Sequence, residues 1–224
     1  MRWWAMATTA LCWHTTSGPL SIGITVMGEV PAGQSLLRSG ARVGDDVWVS
    51  GQPGLARLAL EAFRGTLSPG ISGEAFDAAR LAMECPVPRV ALGVGLRGLA
   101  SAAIDVSDGL LGDLSHILRR SRVGVAIALE ALPVNPWLVQ RPLHEQLDCI
   151  LAGGDDYELL FTAPPGHRAP IENLGDSLGL VLSRIGQIEA EPGLRLWQGG
   201  LDAASREPAQ QVSNRWTSFD HFKA

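Results

Sequence analysis

Lysine is almost missing from this sequence. Lys223, at the end of the chain, is the only one among 18 lysines and arginines. A P-loop of the form G-x-x-x-x-G-K-[ST] needs a lysine beside the phosphates, so that device is excluded. Cysteine is scarce too: Cys12, Cys85 and Cys149 are far apart and form no C-x-x-C pair. That excludes a zinc ribbon and a disulfide framework and fits a reducing cytoplasm. Charged residues make up only 18%, and the net charge is -5. A surface built to coat nucleic acid needs a clustered basic excess, so no nucleic-acid partner is expected. No apolar run reaches the roughly 18 residues of a membrane span, so no membrane partner is expected either. The opening MRWWAMATTALCWH is interrupted by Thr8 and Thr9 and reads poorly as a signal peptide.

What is present is a large apolar fraction, 46% of 224 residues, enough to bury a sizeable core. Ile and Val alternate over residues 19–30, which predicts a strand, and VWVSG predicts a second short one. Leu55, Leu58, Ala59 and Ala62 recur at helical spacing, as do Phe76, Ala79 and Met83. After the break CPVPR, another helical stretch runs towards Leu99. SAAID then predicts a buried strand. SDGLLGDLSHILRR predicts a helix with an apolar face of Leu110, Leu111, Leu114, Ile117 and Leu118, capped by Ser107 or Asp108. VGVAIAL and YELLFTAPP read as strands, and ENLGDSLGLVLSRIGQI as a helix followed by a strand. The alternation predicts an α/β fold of the α+β type, a mixed sheet packed with helices.

Three clusters carry chemistry. In the first, Asp105 ends a strand, Ser107 and Asp108 open a helix, and Asp113 follows within the same stretch. Carboxylates at such a junction can hold Mg²⁺ through one or two oxygens, leaving positions for water and phosphate. A helix cap is the alternative, but it accounts for only one of the acids. The second is AGGDDYELLF, where two glycines precede Asp155, Asp156, Tyr157 and Glu158. Asp155 sits where a ligand can reach it, or in a tight turn with surface acids. Glu158, in an otherwise apolar strand, is expected to face water. The third is LLRSGARVGDD, whose Arg38 either forks onto a phosphate or is an ordinary surface arginine.

Five segments, in this order, carry a resemblance: TTSGPLSIGITVMGEVPAGQSLLRSGARVGDDVWVSGQPG, CPVPR, AIDVSDGLLGDL, LAGGDDYELLF and the closing FDHF. From about Thr15 to the end, the chain resembles the thiamine-monophosphate kinases of the aminoimidazole-ribonucleotide-synthetase-like superfamily. The resemblance implies transfer of the γ-phosphoryl of ATP to thiamine monophosphate, giving thiamine diphosphate and ADP. It implies Mg²⁺ at Asp105 and Asp108, ATP at Ser107 and Arg38, and the thiamine phosphate at Asp155. It places an aromatic ring near the substrate, either Trp216 or Phe219, with Phe219 favoured. The family is homodimeric and cytoplasmic.

The chain also departs from the family. Complete members carry an N-terminal domain with most of the metal-binding aspartates, and they read GGDTT where this chain reads CWHTT. His14 stands in place of an aspartate, and Cys12 and Trp13 in place of glycines. Residues 1–31 are therefore expected to be a remnant of that domain, with 1–14 an out-of-frame or mis-started reading. Residues 32–224 are expected to form the C-terminal domain. A remnant strand at 19–30 would hang unpaired. The expected activity of the chain alone is weak or absent. A non-catalytic nucleotide- or thiamine-phosphate-binding remnant is one alternative. Another ATP-dependent enzyme of the superfamily, such as a selenophosphate synthetase or a hydrogenase-maturation protein, is the other.

Overall fold

The structure is a computed structural model and describes residues 8–10, 25–201, 211–212 and 216. It divides into two units, Met1–Ser35 and Leu36–Ala224. In the first, β1 (Thr8–Ala10) pairs antiparallel with β2 (Thr25–Met27). The strand expected over 19–30 is thus seen at Thr25–Met27, and it is paired rather than hanging free.

The second unit is built on a mixed sheet. Its strands are β3 (Asp46–Ser50), β4 (Ala102–Val106), β5 (Gly124–Ala128), β6 (Glu158–Ala163), β7 (Leu182–Glu189), β8 (Gly193–Trp197) and β9 (Gln211–Val212). Among the described residues the sheet has seven strands in the order β4-β6-β3-β7-β5-β8-β9. β5 and β8 run parallel, and the other neighbours run antiparallel. The helices are α1 (Leu55–Arg64), α2 (Glu74–Glu84), α3 (Val90–Gly95), α4 (Leu110–Ser121), α5 (Pro136–Val139), α6 (Leu143–Ala152) and α7 (Arg168–Leu178).

Strand alternation sends successive side chains to opposite faces of the sheet, and both faces are covered. On one, Val47, Val49, Ile104, Val106 and Leu160 meet Leu58, Leu114, Ile117 and Ile150 from α1, α4 and α6. On the other, Trp48 and Phe161 stack with centroids 6.2 Å apart and meet Leu92 and Ile171 from α3 and α7. The apolar face foreseen for α4 is buried: Leu110, Leu111, Leu114, Ile117 and Leu118 all lie inside. One buried acid of the sheet is held by arginine. Asp46, 1% exposed, accepts from Arg168 Nε at 2.6 Å and Arg168 Nη2 at 2.9 Å.

β4 lies at one end of the strand order. Its outer side is partly covered, since the Ala103 N–H donates to the Leu37 carbonyl at 3.0 Å. That bond brings the Arg38 loop alongside the strand that carries Asp105.

Candidate functional site

The end of β4 and the start of β6 meet through two backbone bonds outside the regular ladder. The Tyr157 N–H donates to the Val106 carbonyl at 2.8 Å, and the Asp155 N–H to the Ser107 carbonyl at 2.9 Å. These bonds join the first two sequence clusters. Asp105 is exposed, and Ser107, Asp108 and Asp155 are half-buried.

The helix cap differs from expectation. Gly109 is the N-cap of α4 and makes no side-chain cap bond; its φ is 99°. A Cβ there would lie 3.1 Å from the Ala152 backbone, so glycine lets α4 approach the end of α6. Asp113, in the first turn and buried, does the fastening instead. Its Oδ2 accepts the Ser107 N–H at 2.9 Å and the Asp108 N–H at 3.0 Å. Burial raises the Asp113 carboxyl, the two backbone donors pull it back, and the charges of Asp108 and Asp105 raise it further. The backbone of Ser107 and Asp108 is thereby held in place ahead of α4. The pattern that could have revealed Asp113 is an acid in the first turn behind two polar loop residues.

The GGDDYE turn also differs from a simple glycine turn. Positive φ falls on Asp155 (64°) and Tyr157 (49°), not on Gly153 or Gly154. Gly153 is required for close approach: a Cβ would sit 2.1 Å from the Cys149 carbonyl oxygen. Non-glycine residues in the left-handed region are strained, by on the order of 1 kcal/mol each, and such strain gathers at functional sites. The Tyr157 hydroxyl donates to Asp155 Oδ1 at 3.2 Å. Burial raises the Tyr157 phenol, followed by the charge of Asp155, the bond to it, and the charges of Asp105 and Asp108. All three acids are therefore close enough to act on one phenol.

Alternate residues of the turn face the other way. Asp156 Oδ1 accepts the Gly54 N–H at the start of α1 at 2.8 Å. Its Oδ2 is sealed from solvent, with no hydrogen-bond partner among the described residues. Burial pushes this carboxyl up to about 8. Glu158 does not face water as the sequence suggested. It is 7% exposed, held by Arg89 and by Ser50 Oγ at 2.5 Å. Asp156 and Glu158 line a cleft of about 320 Å³ with Gln52, Arg89 and Asn135. An acid inside an apolar strand reads as solvent-facing unless its cation is known, and Arg89 lies far off in sequence.

Arg38 is exposed in its loop beside β4. The loop is pinned where Ser121 Oγ accepts the Gly40 and Ala41 N–H groups at 3.1 and 3.2 Å. Trp216 is half-buried, packs on the main core and donates from Nε1 to Asp148 Oδ1 at 2.6 Å. Phe219 and His14 lie outside the described residues.

Among the described residues, no group of three or more His, Cys, Asp or Glu side chains is arranged to hold a metal ion. The donor set at the β4–α4 junction is nevertheless all oxygen: Asp105, Asp108 and the Ser107 hydroxyl. That suits Mg²⁺, which takes one or two carboxylates and fills its shell with water and substrate phosphate.

Residues 42–198 match the family model of the AIR synthase related protein, C-terminal domain. The chain belongs to this family. Within it, this AIR synthase related domain is similar to the thiamine-monophosphate kinase of Salmonella typhimurium, 36% identical over 210 residues. That match takes in 93% of this chain and 62% of the relative, so the chain spans under two thirds of the curated relative's length. Its backbone superposes on the crystal structure of the thiamine-monophosphate kinase from Stenotrophomonas maltophilia with a TM-score of 0.74 and 44% identity. That superposition covers 80% of this chain and 58% of the other. It also superposes on a structure described as "AaThiL complexed with AMPPCP and TMP", with a TM-score of 0.64 and 27% identity, over 84% of this chain and 54% of that one. The α/β architecture read from the sequence is the one observed. No helix among the described residues is long and apolar enough to cross a membrane.

Proposed function

We propose that this chain carries the C-terminal part of a thiamine-monophosphate kinase, which phosphorylates thiamine monophosphate from ATP. The observation that carries the reading is the double backbone clasp of Val106 and Ser107 to Tyr157 and Asp155, which gathers four oxygen-bearing side chains at one sheet end. The similarity to named kinases supports it.

The chemistry asks little of a general base. The second pKa of a phosphate monoester is about 6, so the attacking oxygen is already anionic near neutral pH. The obstacle is repulsion between two polyanions, and catalysis of such transfers rests on alignment and charge neutralisation. Asp105 and Asp108 would hold Mg²⁺, which supplies that neutralisation when bound. Ser107 and Arg38 would contact ATP, the latter from the loop beside β4, and Asp155 would contact the thiamine phosphate. Of the two aromatic candidates, Phe219 is favoured, because the Trp216 indole is already committed to Asp148 and the core. We assign residues 1–31 to the remainder of an N-terminal domain and 32–224 to the C-terminal domain. The free thiols of Cys85 and Cys149 agree with a cytoplasmic setting.

The 62% span of the curated relative favours a second reading, in which this chain binds ligands without turning them over. Calorimetric titration with AMPPCP and with thiamine monophosphate, each with and without Mg²⁺, separates the readings when run beside an assay for thiamine diphosphate. Mg²⁺-dependent binding is expected, and it should be lost in Asp105→Asn and Asp108→Asn. Both positions reach solvent, so the variants should keep the thermal midpoint. Binding that ignores Mg²⁺ and survives both substitutions would overturn the assignment.

A further inference from the structure

Tyr157 is the only tyrosine in the chain and is 43% exposed. It holds a backbone angle of 49° that a side chain with a Cβ rarely adopts. A glycine would take that angle without cost, and an exposed position places no packing demand on a large ring. Nothing in the core explains the residue: it belongs to neither buried cluster. What surrounds it is the candidate site. Its amide is tied to Val106, its hydroxyl donates to Asp155, and Asp155, Asp105 and Asp108 all act electrostatically on its phenol. The ring therefore stands among the acids that would hold Mg²⁺ and the one that would contact the acceptor, with close to half its surface open to an incoming molecule.

We propose that Tyr157 is a ligand-contacting residue that selects an aromatic phosphate acceptor. Its ring packs against the heteroaromatic part of the acceptor, while its hydroxyl, anchored on Asp155, fixes the ring's direction. Aromatic rings offer a large, stiff apolar surface at small entropic cost, and a polar tip that can be tethered. The left-handed turn gives the ring its place: relaxing residue 157 into the ordinary β region would carry the side chain away from Asp155. The inference rests on the function proposed above and adds to it a residue that distinguishes a ring-bearing phosphate ester from a bare one.

The test is titration of thiamine monophosphate and, separately, AMPPCP in the presence of Mg²⁺ into the wild-type chain, Tyr157→Phe and Tyr157→Ala. Thermal midpoints are recorded alongside. The wild type and Tyr157→Phe should bind thiamine monophosphate within a few-fold of each other. Tyr157→Ala should lose about tenfold, the size of an aromatic contact, with its AMPPCP affinity and midpoint little changed. Equal affinity in all three proteins would overturn the role of Tyr157 and leave the kinase reading intact. An equal loss in Phe and Ala would overturn the ring contact, because the hydroxyl alone would then matter. A loss confined to AMPPCP would overturn the choice of acceptor. Failure of the wild type to bind thiamine monophosphate would overturn the functional reading, and this proposal with it.

Discussion

Arg89 grips Glu158 with two hydrogen bonds, Nε to Oε2 at 2.7 Å and Nη2 to Oε1 at 2.5 Å. Ser50 Oγ adds a third, to Oε2, and itself accepts the Leu159 N–H at 2.8 Å. The pair ties the segment before α3 to the first residue of β6, immediately after the strained turn. Glu158 is buried and Arg89 half-buried, and removing the cation costs more than the pair contributes, because the buried carboxylate stays behind without compensation. Arg89→Ala is expected to destabilise the domain by about 3 kcal/mol, read as a drop in the urea midpoint. Arg89→Lys should recover only part of this, since an ammonium cannot reproduce the fork. A loss within about 0.5 kcal/mol of zero, as for an ordinary surface change, would show that the pair does not anchor the turn.

Asp156 sets a pH dependence of unusual sign. Its carboxyl is raised from 3.8 to about 8, so between those values the folded chain keeps a proton that the unfolded chain has released. Folding then takes up a proton, and stability falls as pH rises through that window. Asp113, also raised by burial, acts in the same sense from the acid end. Asp156→Asn keeps an oxygen for the Gly54 N–H and cannot ionise. It should flatten the dependence and stabilise the domain at pH 8 by roughly 5 kcal/mol, with little change near pH 4. Asp156→Ala, which removes that acceptor, should be less stable than Asp156→Asn throughout. Denaturant melts across the pH range decide this, and a wild-type profile that rises through the window would contradict it.

Tyr157 offers a spectroscopic handle, since tyrosinate absorbance in this chain comes from one residue. Its phenol titrates above the usual tyrosine value because of burial and the charges of Asp155, Asp105 and Asp108. Neutralising either of the last two, by Asp105→Asn or Asp108→Asn, should lower the titration midpoint. Mg²⁺ should lower it in the wild type and have a smaller effect in either variant. An unchanged midpoint in both variants would mean that these acids do not share a field with the phenol.

Gly153→Ala tests the close approach at the end of α6. The new methyl would lie 2.1 Å from the Cys149 carbonyl oxygen and 2.8 Å from Arg57 Cβ, so backbone must shift. The expected cost exceeds about 2 kcal/mol, in line with overpacking of a tight site. A thermal midpoint equal to that of the wild type would show that the turn can yield.

The sequence made most of this fold legible because both sheet faces are buried and the strands alternate cleanly, as in Val47, Trp48 and Val49. The α4 stripe was readable for the same reason. α6 and β8 were not anticipated. LHEQLDCILA buries Cys149, Ile150 and Leu151 in a row rather than at helical spacing, and GLRLW is short and half-exposed. At the candidate site, Asp105, Ser107 and Asp108 stood out because a helix cap accounts for only one of the acids, Asp155 stood out beside the glycine pair, and their roles came from the resemblance to the kinase family. Asp113, Asp156 and Glu158 were not, since each draws its role from a partner that local pattern does not name: a loop N–H, the start of α1, and Arg89.

The segment from Asp155 to Glu158 is one short turn with two audiences. Asp155 and Tyr157 address the acids of the candidate site, while Asp156 and Glu158 address the cleft and the framework behind it. A saturation library across these four codons should therefore show a two-beat rhythm. Substitutions at 155 and 157 would leave soluble protein with altered ligand preference, and substitutions at 156 and 158 would deplete the folded protein itself. Natural variation that tunes what the site accepts has room on one side of this short ribbon, and the other side holds the ribbon in place.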